Sequence, residues 1–324
     1  MRAWLLALGL VLAPATAMAQ PVQPGAALRQ MGVWAQKLVA IQQPAIDSYQ
    51  RCAPIIQQVT TVLQSPVATR REAASRTLAP MRQCLADMRA AMTTVRDGFA
   101  RMEPMPGTFE QMLHVDSKDM LAKSATASEG MATYLEQTEA ALEAVAAGDE
   151  ALAMRRIGEA RAGAGSIIDA QILLLETLQS SMPLETHKAM FDVRLVMYRG
   201  MRAIIVSDPG SQSAELTANL RALGAASRLA ASRLRASWKG DSGGLRRAVA
   251  QLNNPSRTAM LASMDQAFET VAASGDEVAA MLEPLPPGQL APGKALQILN
   301  QFAVLETRTL EAIRAMSVAA TQVQ

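Results

Sequence analysis

The sequence predicts an all-α protein built as antiparallel multi-helix bundles, and three observations carry that prediction. Apolar residues recur at alternating spacings of three and four, proline and glycine punctuate the chain between those periodic stretches, and the core must come from aliphatic residues. Only 3 Trp, 3 Tyr and 5 Phe occur in 324 residues, against 20 Met and an overall 50% hydrophobic content.

The first 19 residues read as a cleavable signal peptide. Arg2 supplies the positive start, Trp4 to Ala13 the apolar run, and Ala17-Met18-Ala19 the small-x-small cleavage site. The apolar run is too short to span a bilayer core of about 30 Å, and no later window is apolar enough for a membrane helix. The mature chain is therefore expected to be soluble, without a transmembrane segment, and periplasmic or secreted.

Behind the leader, the first helix is predicted over 26–64, with a seam of Met31, Trp34, Leu38, Ile41, Ala45, Cys52, Ile55, Val59 and Val62. The second, over 67–103, carries Leu78, Met81, Leu85, Met88, Met92, Val95, Phe99 and Met102, the 3.5-residue repeat of a helix in a left-handed bundle. The two meet at Ser65-Pro66 as an antiparallel hairpin, with kinks expected at Pro44, Pro54 and Pro80.

Helices at 109–147 and 149–182 follow, divided by Gly148 as C-terminal stop and Asp149 as N-cap. The run from Ile167 to Leu178 is apolar around much of its circumference, so this fourth helix is predicted to be the most buried. Pro183 opens a fifth helix to 207, and Asp208-Pro209-Gly210 turns into a sixth over 212–239. Helices over 245–282, broken near Asn253-Asn254-Pro255, and 294–321 complete the chain. These elements divide into an N-terminal bundle over 26–182 and a C-terminal bundle over 183–324, or form one elongated bundle.

An internal echo accompanies the pattern. Met102-Glu103-Pro104-Met105-Pro106-Gly107 resembles Leu282-Glu283-Pro284-Leu285-Pro286-Pro287-Gly288, and Ser75-Arg76-Thr77 recurs as Ser256-Arg257-Thr258. A duplicated helical hairpin core and chance similarity in a biased helical sequence both remain open.

The chain carries 31 basic and 29 acidic side chains, so no global field favours nucleic acid or a membrane surface. Its few aromatics argue against the stacking platforms of single-stranded nucleic-acid sites. Cys52 and Cys84, the only cysteines, fall at one level of the predicted hairpin and beside its apolar seams, so a disulfide is expected in an oxidising compartment.

Met102, Met105, Met112, His114 and Met120 cluster around the first Pro-Gly loop, and thioether with imidazole is a ligand set suited to Cu(I). The competing reading is ordinary core packing of methionine. Residues 216–258 hold eight Lys or Arg and one acid, Asp241. Within them, Arg221, Arg228 and Arg235 recur every seven residues along the sixth helix, either as a docking stripe for another envelope protein or an anionic envelope component, or as a face paired with the chain's own acids.

Gly240-Asp241-Ser242-Gly243-Gly244 resembles the segment around the nucleophilic serine of trypsin-like proteases. That resemblance implies Ser242 as nucleophile on a double β-barrel with a His base and a buried Asp. It covers five residues, Leu245 replaces the usual proline, and His114 and His187 both lie in helical surroundings. The leading expectation is thus a non-catalytic exported interaction or ligand-binding protein without a cofactor, its site in the groove between bundles; copper handling is the alternative and a serine hydrolase the remote one.

Overall fold

A computed structural model gives the structure, which describes residues 24–64, 67–105, 107, 110, 116–181, 185–207, 214–240, 245–250, 257–288 and 290–321. The leader at 1–19, Ser65-Pro66, Pro183 with the boundary before it, Asp208-Pro209-Gly210 and Asn253-Asn254-Pro255 lie outside the described residues.

Regular structure among the described residues is helical, without a strand. The elements are α1 (Pro24–Gln64), α2 (Val67–Arg101), α3 (Ser117–Ala147), α4 (Glu150–Ser181), α5 (Glu185–Val206), α6 (Ala214–Lys239), α7 (Leu245–Ala250), α8 (Arg257–Leu282) and α9 (Pro292–Thr321). α1 continues through Pro44 and Pro54, and α2 through Pro80, without interruption.

Local chemistry sets the helix ends. Gly148 adopts φ 82°, its N–H donates to Val145 O at 3.0 Å, and Asp149 N–H donates to Ala144 O at 2.9 Å. This is a Schellman stop, which consumes carbonyls that the helix would otherwise leave unpaired. Asp149 then caps α4 by accepting the Leu152 N–H at 2.9 Å. Asp116 caps α3 in the same way, accepting from Asp119 at 2.9 Å.

The chain divides into two compact units. One comprises the described residues of Ala40–Met102 and Leu121–Ala170. In it α1 and α2 run antiparallel: the Cα atoms of Cys52 and Cys84 are 5.6 Å apart and their sulfurs are at bonding distance. Six residues of the α2 seam, Met81, Leu85, Met88, Met92, Val95 and Phe99, are buried, whereas Leu78 and Met102 at its ends are half-buried. The outer face of α2 pairs with α3 through Arg82–Glu143 and through Arg89, which reaches Glu139 at 2.9 Å and Glu136 at 3.5 Å.

The other unit comprises the described residues of Met1–Val39, Glu103–Met120 and Gln171–Gln324. Its core is a four-helix bundle: α6 packs on α5 and α8, and α9 packs on α8 and α5. Arg228 pairs with Glu283 at 2.6 Å and Arg235 with Asp276 at 2.6 Å, so α6 and α8 are antiparallel. Ser227 Oγ donates to Gly275 O at 2.8 Å, where the two backbones approach closely.

The expectation that the fourth helix is the most buried is corrected here. α5 buries 14 of its 22 residues, all around its circumference, because it packs on α6, α8 and α9. Leu173 of α4, by contrast, is 57% exposed. The echoed Glu-Pro segments occupy matching places: each follows a helix end directly, with the proline exposed and the next residue, Met105 or Leu285, buried.

Candidate functional site

The site begins at the C-terminal end of α6. Trp238 sits there as the last apolar residue of the helix stripe, and Gly240 N–H closes the turn onto Ala236 O at 2.8 Å. Opposite, α8 presents Asp265, Phe268 and Glu269 at i, i+3 and i+4, a spacing that places all three on one helix face. α7 adds Arg246. Together with Arg235 and Lys239 these residues line a pocket of about 270 Å³.

Its inner wall is aromatic. The Trp238 and Phe268 ring centroids lie 4.6 Å apart at 44°, and both side chains are buried. Its rim is charged and ordered by hydrogen bonds. Asp265 accepts the Trp238 indole N–H at 2.6 Å and Arg246 Nη2 at 3.3 Å, and the Arg246 guanidinium lies 5.6 Å from the Trp238 ring centroid. Glu269 accepts Arg235 Nε at 2.9 Å, and that hydrogen bond holds its carboxyl below the usual range.

Behind Phe268 lies His187 of α5, its ring 6.3 Å from the Phe268 ring and nearly perpendicular to it. The imidazole is buried and neither nitrogen has a hydrogen-bond partner among the described residues. Burial lowers its pKa to about 4, so the ring is neutral at pH 7. Two turns further along α5, Arg194 Nε donates to Glu306 of α9 at 3.1 Å, and Tyr198 OH donates to the same carboxylate at 3.2 Å. Burial opposes the Arg194 charge, but Glu306 outweighs it and leaves the guanidinium pKa raised. The Tyr198 hydroxyl is pushed well up, by burial first and then by the Glu306 charge.

The residues singled out from sequence are distributed as follows. Cys52 and Cys84 come together. Of the methionine–histidine cluster, Met105 and Met120 are buried and Met102 is half-buried, while Met112 and His114 lie outside the described residues. Met105 is pinned through its backbone, whose N–H donates to Ser117 Oγ at 2.8 Å. No group of three His, Cys, Asp or Glu side chains among the described residues could hold a metal ion.

In the arginine stripe, Arg228 and Arg235 are paired with Glu283, Glu269 and Asp276, whereas Arg221 has no ion-pair partner among the described residues. Two of the three cations thus tie α6 to α8, and Arg235 also lines the pocket. Ser242 lies outside the described residues, and the described chain is helical rather than the double β-barrel that the protease resemblance implies.

The apolar spacing of the sixth helix, with Leu216, Leu220, Leu223, Ala230, Leu234 and Trp238 towards one side, makes Trp238 a stripe residue, and sequence reasoning missed Asp265, Phe268 and Glu269. The available signal was their shared helix face; which helix faces them is decided by tertiary packing. Comparison with protein-family profiles, with curated proteins and with solved structures finds no match to this chain.

Proposed function

We propose that this chain is an exported binding protein, periplasmic or secreted, that takes a small organic ligand in the pocket walled by Trp238 and Phe268. The pocket carries the reading: it joins an aromatic wall to a few ordered polar groups at the end of a helical bundle, the combination by which small-molecule sites are recognised. At about 270 Å³ it falls just below the roughly 300–1,000 Å³ of small-molecule sites, which suits a molecule of one ring rather than several.

Export is supported by the leader pattern at 1–19 and by the Cys52–Cys84 pair, since structural disulfides persist in oxidising compartments. The test is mass spectrometry of the natively exported protein under gentle conditions, with N-terminal sequencing of the same sample. A retained small molecule that is lost in Trp238→Ala, and a mature end at Gln20, are the expected results. An uncleaved protein refutes the export reading. A ligand held equally by wild type and Trp238→Ala refutes the pocket reading.

A further inference from the structure

Methionine is common in this sequence, with 20 copies, and the structure sorts the side chains by their access to solvent. Met88, Met131, Met197 and Met264 are each at most 2% exposed, and Met102 and Met281 are half-buried. Met154 of α4 is 59% exposed. No other methionine among the described side chains is exposed.

The helix leaves the Met154 sulfur uncovered. Ala153 and Ala160 are buried, so the inward stripe of α4 runs through them, and Met154 stands a step of about 100° around the helix from it. The residues that can cover a helical side chain are those three and four positions away. Ala151 is exposed and offers only a methyl group, and Gly158 offers none: a Cβ there meets nothing within 4 Å. Glu150 is held by Arg70 of α2 at 3.2 Å, which leaves the half-buried Ile157 as the sizeable neighbour.

A thioether open to water is a nucleophile for hydroperoxides. A sulfur lone pair attacks one peroxide oxygen, the S–O bond forms as the O–O bond breaks, and the second oxygen leaves as water with the proton of the first. Sulfur is oxidised by two electrons and the peroxide is reduced by two. The product, methionine sulfoxide, is polar, so inside a core it disrupts packing while on the surface it remains hydrated.

We infer that Met154 is a modification site: a hydroperoxide converts it to methionine sulfoxide in the folded chain, ahead of the buried methionines and without loss of the fold. It lies in the other compact unit from the ligand pocket and stands independently of that reading.

The sequence supplies an internal reference for the test. Cleavage after Lys123 and Arg155 gives one tryptic peptide, residues 124–155, that carries both the buried Met131 and the exposed Met154. The folded full chain is exposed to hydrogen peroxide, quenched at intervals and digested, and fragmentation of that peptide locates the added oxygen. Met154 is expected to oxidise at least about tenfold faster than Met131, because a buried side chain meets oxidant only when the structure opens locally. In urea the two rates are expected to converge. Met154→Gln, whose amide resembles the polar sulfoxide, is expected to keep the wild-type Tm, whereas Met264→Gln is expected to lower it by about 5 °C or more.

Equal rates for Met131 and Met154 in the folded chain would overturn the site. A fall in Tm for Met154→Gln matching that of Met264→Gln would overturn the claim that the fold survives the modification.

Discussion

Arg194 and Glu306 face each other across α5 and α9 with neither side chain exposed to solvent, and Tyr198 adds a third group to the same carboxylate. Both charges lie in the bundle interior. Taking two charges out of water costs several kcal/mol per ion before their attraction is counted, so the intact pair gives little net stability while a broken one is expensive.

That asymmetry gives the first expected outcome. Glu306→Leu alone leaves the Arg194 guanidinium buried without its counter-ion and is expected to lower unfolding stability by about 3–5 kcal/mol. The double variant Arg194→Met, Glu306→Leu is expected to recover most of that loss. Urea midpoints of the three proteins measure it; a double variant as unstable as the single one would show that the charges are not coupled as described.

His187 makes stability depend on pH. Its pKa is about 4 in the folded protein against about 6.5 in an unfolded chain, so between those values the unfolded state binds more protons. The contribution is therefore present in full above pH 6.5 and is lost as pH falls towards 4, by about 3 kcal/mol in total. Thermal unfolding of wild type and His187→Leu at pH 7 and pH 4.5 is the measurement, and the gap between the two Tm shifts should carry this loss.

The Cys52–Cys84 pair closes a loop with a sequence separation of 32. Loop-closure entropy puts the stabilisation near 3–4 kcal/mol. Reduction with dithiothreitol and the double substitution Cys52→Ser, Cys84→Ser should lower Tm by similar amounts, and the double variant should be indifferent to reductant.

Two helical glycines separate packing from propensity. A Cβ at Gly200 would stand 2.7 Å from the Phe302 ring, whereas one at Gly158 meets nothing within 4 Å. Gly200→Ala is expected to cost about 1–3 kcal/mol by overpacking, and to be relieved by Phe302→Leu. Gly158→Ala is expected to stabilise by about 0.5–1 kcal/mol through helix propensity alone. Chemical denaturation of the variants gives both signs.

Much of the helical layout was legible because its signals are local. Gly148 and Asp149 mark a helix stop and start within a few residues, and the α2 seam from Met81 to Phe99 follows from one period. The Cys52–Cys84 pairing was legible because a single hairpin relates the two residues.

The polar interior was not legible in the same way. Arg194 and Glu306 are 112 residues apart, and nothing in either helix alone distinguishes a buried cation from a solvated one. His187 sits on a helix whose whole circumference is covered, so no polar face betrays it. The pocket had the same handicap: Trp238 was visible as an apolar stripe residue, and its partners 27 and 30 residues on were fixed only when α8 packed against α6.

The arginine–carboxylate rows have one last consequence, for how the chain sorts its own segments while folding. Arg82 and Arg89 meet acids on α3, and Arg228 and Arg235 meet Glu283 directly after α8 and Asp276 on it, with the arginines seven residues apart in both rows. The same address is therefore written twice, and charge alone cannot tell a correct pairing from an exchanged one. Distance along the chain can. Arg89 is separated from Glu139 by 50 residues, and an encounter with Glu269 would close a loop more than three times longer, at an added entropic cost of about 1 kcal/mol. Nearness in sequence thus supplies the discrimination that the repeated charges lack.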